Sequence, residues 1–238
     1  MTRRTHPWKW TADQPLQYYG AMNRRDLSER RRVDGVAVIG GEHPDRGRLD
    51  PWLHANPLVV AADAGIETAH RLELTPSLVA GDMDSISDRS LLNTFRDEQV
   101  RRVPPEKDET DTELALAVLR EHGCRRTLIV GGGGGRLDHM LAILALFERA
   151  DHPSAWITAG DEIIAVDDGI ELVDMKNDRV SFFPIGPETC TMRSHGLQWP
   201  LDPLTWRHGD HGLSNVVTAE HAGVEMVTGR LLMVRRLE

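Results

Sequence analysis

The chain has 238 residues, enough for one large domain or two modest ones with a buried core. Hydrophobic residues make up 40% and charged residues 27%, the balance of a globular chain rather than a disordered one. A net charge of −9 with aromatics at 5% argues against a phosphate-backbone binder or a base-stacking module as the main role.

Residues 1–32 hold eight Lys/Arg against three Asp/Glu, a net of +5, so the remainder carries −14. This head includes Trp8, Trp10, Tyr18, Tyr19 and Arg30-Arg31-Arg32 without a hydrophobic period. It reads as a basic N-terminal extension, disordered or laid on the surface. It lacks the apolar core of a signal peptide, and a start at Met22 would remove most of it. Val36 to Ile39 is a buried strand closed by Gly40-Gly41, and Leu58 to Ala62 is a second, ending at Asp63. A helix is expected over 65–72, a strand at Leu78 to Ala80 and a helix over 88–97. Val100 to Val103 is a weak strand, 111–122 a strong helix, Thr127 to Val130 a strand, and 136–149 the longest helix. Continuous apolar strands alternating with helices predict an α/β, Rossmann-like, mostly parallel sheet with flanking helices.

Helical periodicity stops near residue 155. Strands are expected at 156–158 and 163–166 around Gly160-Asp161, then at 180–185, 189–193, 216–219, 224–227 and 231–235. Thr228-Gly229 has the form of a hairpin turn. This half predicts a small antiparallel β domain. Cys124 and Cys190 form no CxxC or zinc pattern, which excludes a disulfide framework and favours a reducing, cytoplasmic setting. No apolar run reaches the roughly 18 residues of a membrane helix.

Acids gather at the predicted strand ends: Asp63 after the second strand, Asp82 and Asp84 after the third. Ligands of an open parallel sheet bind beyond those carboxyl ends. Carboxylates brought together there repel unless a cation joins them, and hard oxygen ligands favour Mg²⁺. Asp is also a common turn and cap residue. Lys107-Asp108-Glu109-Thr110-Asp111-Thr112-Glu113 leads into a helix, with Thr110 and Glu113 spaced as a capping box. The cap explains those two residues. It leaves Asp108 and Asp111 able to ligate Mg²⁺ and Lys107 able to contact a phosphate, without assigning them to either role. Gly131 to Gly135 sit between a strand and a helix, where backbone N–H groups and a helix N-terminus cradle phosphate, and Arg136 can grip an oxygen bidentately. No Gly-Lys-Ser/Thr follows, so this is not a Walker A loop, and the dinucleotide fingerprint is missing too. Phosphate donors and Mg²⁺-binding acids on one sheet edge point to phosphoryl or pyrophosphoryl transfer.

Ala62-Asp63-Ala64-Gly65, Gly81-Asp82-Met83-Asp84-Ser85-Ile86, the 107–116 segment and Gly131 to His139 occur in the order seen in thiamine pyrophosphokinases, and the chain resembles that family over roughly 36–235. Gly196 to Leu201 and Gly212-Leu213-Ser214-Asn215 resemble its β-domain motifs. The resemblance implies transfer of an intact diphosphate from ATP to the hydroxyethyl group of thiamine, releasing AMP. It also implies a homodimer with sites at the interface, while the acidic charge and the lack of a long apolar run lead to the expectation of no nucleic-acid or membrane partner. It divides the chain into the extension 1–32, an ATP/Mg-binding catalytic domain 33–168, and a β-sandwich thiamine-binding domain 169–238. It makes Asp82, Asp111 and Asp108 catalytic and Asp82, Asp84, Asp108 and Asp111 the metal ligands. Asp63, Lys107, Thr110, Gly133, Gly134, Gly135, Arg136 and Asp138 would bind ATP or its phosphates, and Asp84, Ser214 and Asn215 the substrate. The family's usual Asp-Gly-Gly is Asp63-Ala64-Gly65 here, Ile143 stands where Asn is frequent, and Val216 where many bacterial members carry Glu. Rival readings are a diphosphokinase for another hydroxyalkyl heterocycle such as a pterin, and a non-catalytic nucleotide or thiamine diphosphate sensor. An NAD(P) oxidoreductase is not supported by the motifs.

Overall fold

The computed structural model describes residues 25–54, 56–104, 106 and 108–237. β1 (Arg25–Asp26) and α1 (Leu27–Arg30) come first, then β2 (Gly35–Val38), α2 (Arg46–Leu53), β3 (Leu58–Ala62), α3 (Gly65–Arg71) and β4 (Leu78–Gly81). β5 (Val100–Arg102), α4 (Asp111–Glu121), β6 (Thr127–Val130), α5 (Leu137–Leu146) and β7 (Ala155–Ile157) complete the alternating part. The remainder is strands: β8 (Asp161–Val166), β9 (Gly169–Val173), β10 (Arg179–Ile185), β11 (Cys190–His195), β12 (Thr205–Trp206), β13 (Gly212–Val216), β14 (His221–Thr228) and β15 (Arg230–Arg236).

One ten-stranded sheet has the order β13-β10-β15-β8-β7-β6-β2-β3-β4-β5. From β5 to β7 neighbours run parallel, and from β7 to β13 they run antiparallel. A five-stranded sheet, β1-β9-β14-β11-β12, packs on the antiparallel part. Val36 and Val38 of β2 face a core with Leu49 and Trp52 of α2, and this core continues into Phe182, Met192, Val224 and Met233 between the two sheets. Ala37 and Ile39 face the other way, onto Leu116 and Leu119 of α4 and Leu146 of α5. Burial on both faces is why β2 to β4 read as unbroken apolar runs. The capping box of α4 is present: the Thr110 hydroxyl accepts from the Glu113 N–H at 3.2 Å, and the Glu113 carboxylate accepts from the Thr110 N–H at 2.9 Å.

The structure departs from the sequence reading in several places. Thr228-Gly229 is no hairpin turn: β14 and β15 lie in different sheets, so these residues carry the chain from one sheet to the other. Gly229 is required there, with φ +72° and a hypothetical Cβ 2.7 Å from the Cys190 sulfur. The helix expected over 88–97 is two 3₁₀ segments, 89–94 and 97–99, neither with a buried residue. The strand expected at 216–219 lies at Gly212–Val216. Residues 27–31, read as part of an extension that is disordered or laid on the surface, are built into the fold. Leu27 and Arg30 are buried, Arg30 donates to Asp168 and to the Gly169 carbonyl, and Arg31 donates to Glu162 at 2.9 and 3.0 Å. Residues 1–24 lie outside the described residues.

Candidate active site

Strand order reverses between β6 and β2, since β3 to β5 extend one way and β7 the other. Ligands of such sheets bind in the crevice beyond the carboxyl ends at that switch. Gly40-Gly41-Glu42 leaves β2 there and the five-glycine loop leaves β6. The two are stitched together: Gly132 N–H donates to the Gly40 carbonyl at 2.9 Å, and Glu42 and Gly133 exchange N–H···O bonds at 3.0 and 3.2 Å. The Gly133 amide is thus used internally. The Gly134 and Gly135 N–H groups donate to no other described residue. A cleft of about 470 Å³ opens here, lined by Gly41, Glu42, Ala64, Thr68, Ser85 and Gly134 among others. A Cβ on Gly134, where φ is +66°, would fall 1.8 Å from the Glu42 carboxyl carbon.

Beside this cleft, Asp63, Asp82 and Asp111 converge, each offering a carboxylate oxygen within 4.8 Å of the others. Asp63 follows β3, Asp82 follows β4, and Asp111 opens α4. Gly81 makes room for them, since a Cβ on it would lie 3.1 Å from the Asp63 Cβ and 3.2 Å from Asp111 Oδ1. Asp63 is buried, and its Oδ1 has no hydrogen-bond partner among the described residues. Burial pushes its carboxyl above the ordinary aspartate range; Ser85 pulls against this, while the charges of Asp111 and Asp82 push with it. An orphaned buried oxygen among three carboxylates fits a hard divalent cation such as Mg²⁺, which takes oxygen ligands. The Ala64 departure costs nothing. Ala64 has φ −55°, and the left-handed residue is Asp63 at +45°. Gly65 is the strict glycine, because a Cβ there would sit 2.0 Å from the Val38 carbonyl oxygen.

The other expected residues lie around this centre with different local ties. Asp84 is exposed and accepts from the Ser85 hydroxyl at 2.9 Å, while its N–H donates to Asp82 at 3.1 Å. Asp108 is exposed and outside the three-carboxylate group, and Lys107 lies outside the described residues. The Thr110 hydroxyl is engaged in the α4 cap. Arg136 and Asp138, both exposed, pair through Nε at 3.2 Å and a terminal nitrogen at 2.5 Å. This pairing holds Asp138 below its usual range and raises Arg136 further. Ser214 is exposed with φ +55°. Asn215 is buried, its side chain clasping the Trp199 backbone: Nδ2 donates to the Trp199 carbonyl at 2.6 Å and Oδ1 accepts from its N–H at 3.1 Å. Asn215 therefore sets the Trp199 loop, and the exposed rings and chains nearby are Trp199 and Leu213.

Sequence reasoning passed over Glu42 and Thr68. Thr68 on α3 is 1% exposed, lines the cleft, and keeps a hydroxyl with no partner among the described residues. Gly40-Gly41 was visible as a strand end, but its pairing with the five-glycine loop is a long-range contact. A polar residue at a fixed offset in the helix after Asp63 was the available signal for Thr68.

Comparison with known proteins adds the family. The profile described as thiamin pyrophosphokinase, catalytic domain, matches residues 49–159, and the one described as thiamin pyrophosphokinase, vitamin B1 binding domain, matches 164–232. A thiamine pyrophosphokinase of Bacillus subtilis is 24% identical over 209 residues, covering 83% of this chain and 96% of its own. The crystal structure of a thiamine pyrophosphokinase from Bacillus subtilis superimposes with a TM-score of 0.71 at 23% identity, over 86% of this chain and 99% of that one. The yeast thiamin pyrophosphokinase structure does so with a TM-score of 0.66 at 15% identity, over 94% of each chain. These likenesses show the shared α/β and antiparallel fold. With the two profiles taking in about three quarters of the sequence, the chain belongs to the thiamin pyrophosphokinase family.

Proposed function

We propose that this protein transfers the diphosphate of ATP to the hydroxyethyl oxygen of thiamine, giving thiamine diphosphate and AMP. The observation that carries the reading is the convergence of Asp63, Asp82 and Asp111 beside a cleft walled by Gly41 and Gly134. In the reaction the alcohol oxygen bonds to the β-phosphorus. The bond from that phosphorus to the α,β-bridging oxygen breaks, and its electrons leave with AMP. The alcohol proton passes to a carboxylate, Asp111 or Asp82. Asp63, Asp82 and Asp111 would hold Mg²⁺, with Asp84 and Asp108 at its edge; the ion, when bound, offsets charge on the phosphate oxygens. The Gly134 and Gly135 amides, Arg136 and Lys107 receive phosphate, so the Arg136–Asp138 pair opens on binding. Thr110 acts through the position of α4. Positioning does most of the work, as is usual for phosphoryl transfer.

The catalytic unit is 33–168 and the thiamine-binding unit 169–238. Ser214, with Asn215 holding the Trp199 loop, forms the thiamine pocket from the partner subunit of a homodimer. Two features support that arrangement. In one chain β13 stands seven strand-to-strand steps from β3, about 34 Å along the sheet at the usual spacing. On α5, Leu137 and Leu141 are 68% and 56% exposed, a face that a second copy would cover. The buried free thiols Cys124 and Cys190 suit a reducing, cytoplasmic setting.

AMP release is measured with ATP, Mg²⁺ and either thiamine or a hydroxymethyl pterin. Thiamine-dependent AMP is expected, lost at least 100-fold in Asp82→Asn and Asp111→Asn with folding intact. Turnover of the pterin alone would move the assignment to that class, and tight ATP binding with no AMP would make the chain a sensor.

A further inference from the structure

At the opposite pole of the parallel sheet, below the first residues of β6 and β7, lies a second cavity of about 290 Å³. It is lined by Arg30, Arg120, Arg125, Arg126 and His152, with Asp151 and Asp167 as the acids. So strong a basic excess stands out in a chain of net charge −9. We propose that this cavity binds a phosphate group, as an anion site separate from the ATP cleft and independent of the proposed reaction.

Local structure accounts for part of the basic lining. Arg120 donates to the Asp151 carbonyl at 2.6 Å and pairs with its carboxylate at 3.2 Å. Arg126 donates to the Arg30 carbonyl at 2.9 Å and to that of Glu29. Arg30 is paired with Asp168. His152 Nδ1 lies 2.9 Å from the Pro153 carbonyl and Nε2 lies 3.1 Å from Asp167, two acceptors that favour the charged ring. Burial opposes that charge, and the two acceptors outweigh it.

One donor group remains. The Arg125 guanidinium has no partner among the described residues, although its backbone is fixed by the Asp34 carboxylate, which accepts the Arg125 N–H at 3.0 Å and the Arg126 N–H at 2.8 Å. Arg30, 8% exposed, spends its terminal nitrogens on Asp168 and on the Gly169 and Ala165 carbonyls, so it forms the charged wall of the cavity. The exposed Arg125 fork at this wall is open to an acceptor-rich anion, and guanidinium forks match phosphate geometry. The volume lies at the lower end for ligand cavities, which suits a phosphate or a small phosphate ester and not a whole nucleotide. α4 spans the distance between the two sites, with Asp111 at its start and Arg120 nine residues on, about 13 Å along the axis.

The test titrates inorganic phosphate, and separately glycerol phosphate, into the full chain saturated with Mg²⁺ and AMP. It is followed by calorimetry and by backbone amide NMR shifts. Amides of Arg125, Arg126 and Ser154 should shift. Arg125→Ala should weaken binding at least 5-fold and Arg125→Glu at least 20-fold, with AMP release from ATP and thiamine unchanged. Binding of both probes identifies a phosphoryl group as the ligand, and binding of inorganic phosphate alone identifies the free ion. Shifts confined to Gly133 to Gly135, or equal affinity in Arg125→Glu, would overturn the proposal.

Discussion

Asp63 combines a left-handed backbone, a buried carboxylate and an unpartnered Oδ1, next to two further acids. Its native carboxyl holds a proton to higher pH than an unfolded one. Stability is therefore lost as pH rises from the ordinary aspartate value, about 3.9, through the raised native value. In metal-free buffer at pH 7, Asp63→Asn should raise Tm relative to the parent, with the difference vanishing near pH 3. The stabilisation that Mg²⁺ gives the parent should fall by more than half in this variant. A lower Tm for the variant at pH 7 would remove the electrostatic account of the cluster. Two residues on, Gly65→Ala drives a methyl into the Val38 carbonyl and should cost about 3 kcal/mol or more, roughly 6–12 °C in Tm. Ala64→Gly, which restores the pattern usual in the family, should instead cost about 0.4–1 kcal/mol by loosening the unfolded chain.

α1 shows what an element contributes beyond its length. Glu162, 1% exposed, accepts from Arg31 at 2.9 and 3.0 Å and pairs with Arg235 at 3.1 Å, tying α1 to β8 and β15. Breaking a buried ion pair strands the remaining charge, so Glu162→Ala should destabilise by about 3–5 kcal/mol. A chain started at Val33 should lose a similar amount, while one started at Met22 keeps Leu27, Arg30 and Arg31. Urea denaturation midpoints of the three check this. The sequence hid this element because its anchors, Glu162 and Asp168, are more than a hundred residues away. By contrast β3 and β6 were legible to the residue, since burial on both faces leaves a continuous apolar run, and α4 was legible from its capping box. α2 was missed because Pro51 lies inside it; Leu49 and Trp52 hold it through tertiary packing. The acids of the site were readable because each ends a buried strand or opens a capped helix. The clasp of Asn215 on Trp199 was not, because it depends on how the Trp199 loop returns to β13.

At the scale of the molecule, the ten-stranded sheet places its nucleotide-side cleft and its β13 edge far apart in one chain. α5 begins at the five-glycine loop and buries only Ile143 and Leu146, leaving Leu137, Leu141 and Leu144 on one exposed stripe at i, i+4 and i+7. A helix so apolar on both faces costs solvation unless its outer stripe is covered. The helix that follows the five-glycine loop would then also be the dimer helix, and assembly would set the loop's position. Leu141→Asp places a charge on that stripe without touching the core. Light scattering at micromolar concentration should show the parent as a dimer and this variant shifted to monomer, with AMP release down at least 10-fold and partly recovered as protein concentration rises. Ile143→Val, on the inner face, should leave the dimer intact and cost about 0.5–1.5 kcal/mol in stability. A monomeric parent with full thiamine-dependent turnover would mean that one chain brings its two sheet regions together unaided, and the leucine stripe would then need another occupant.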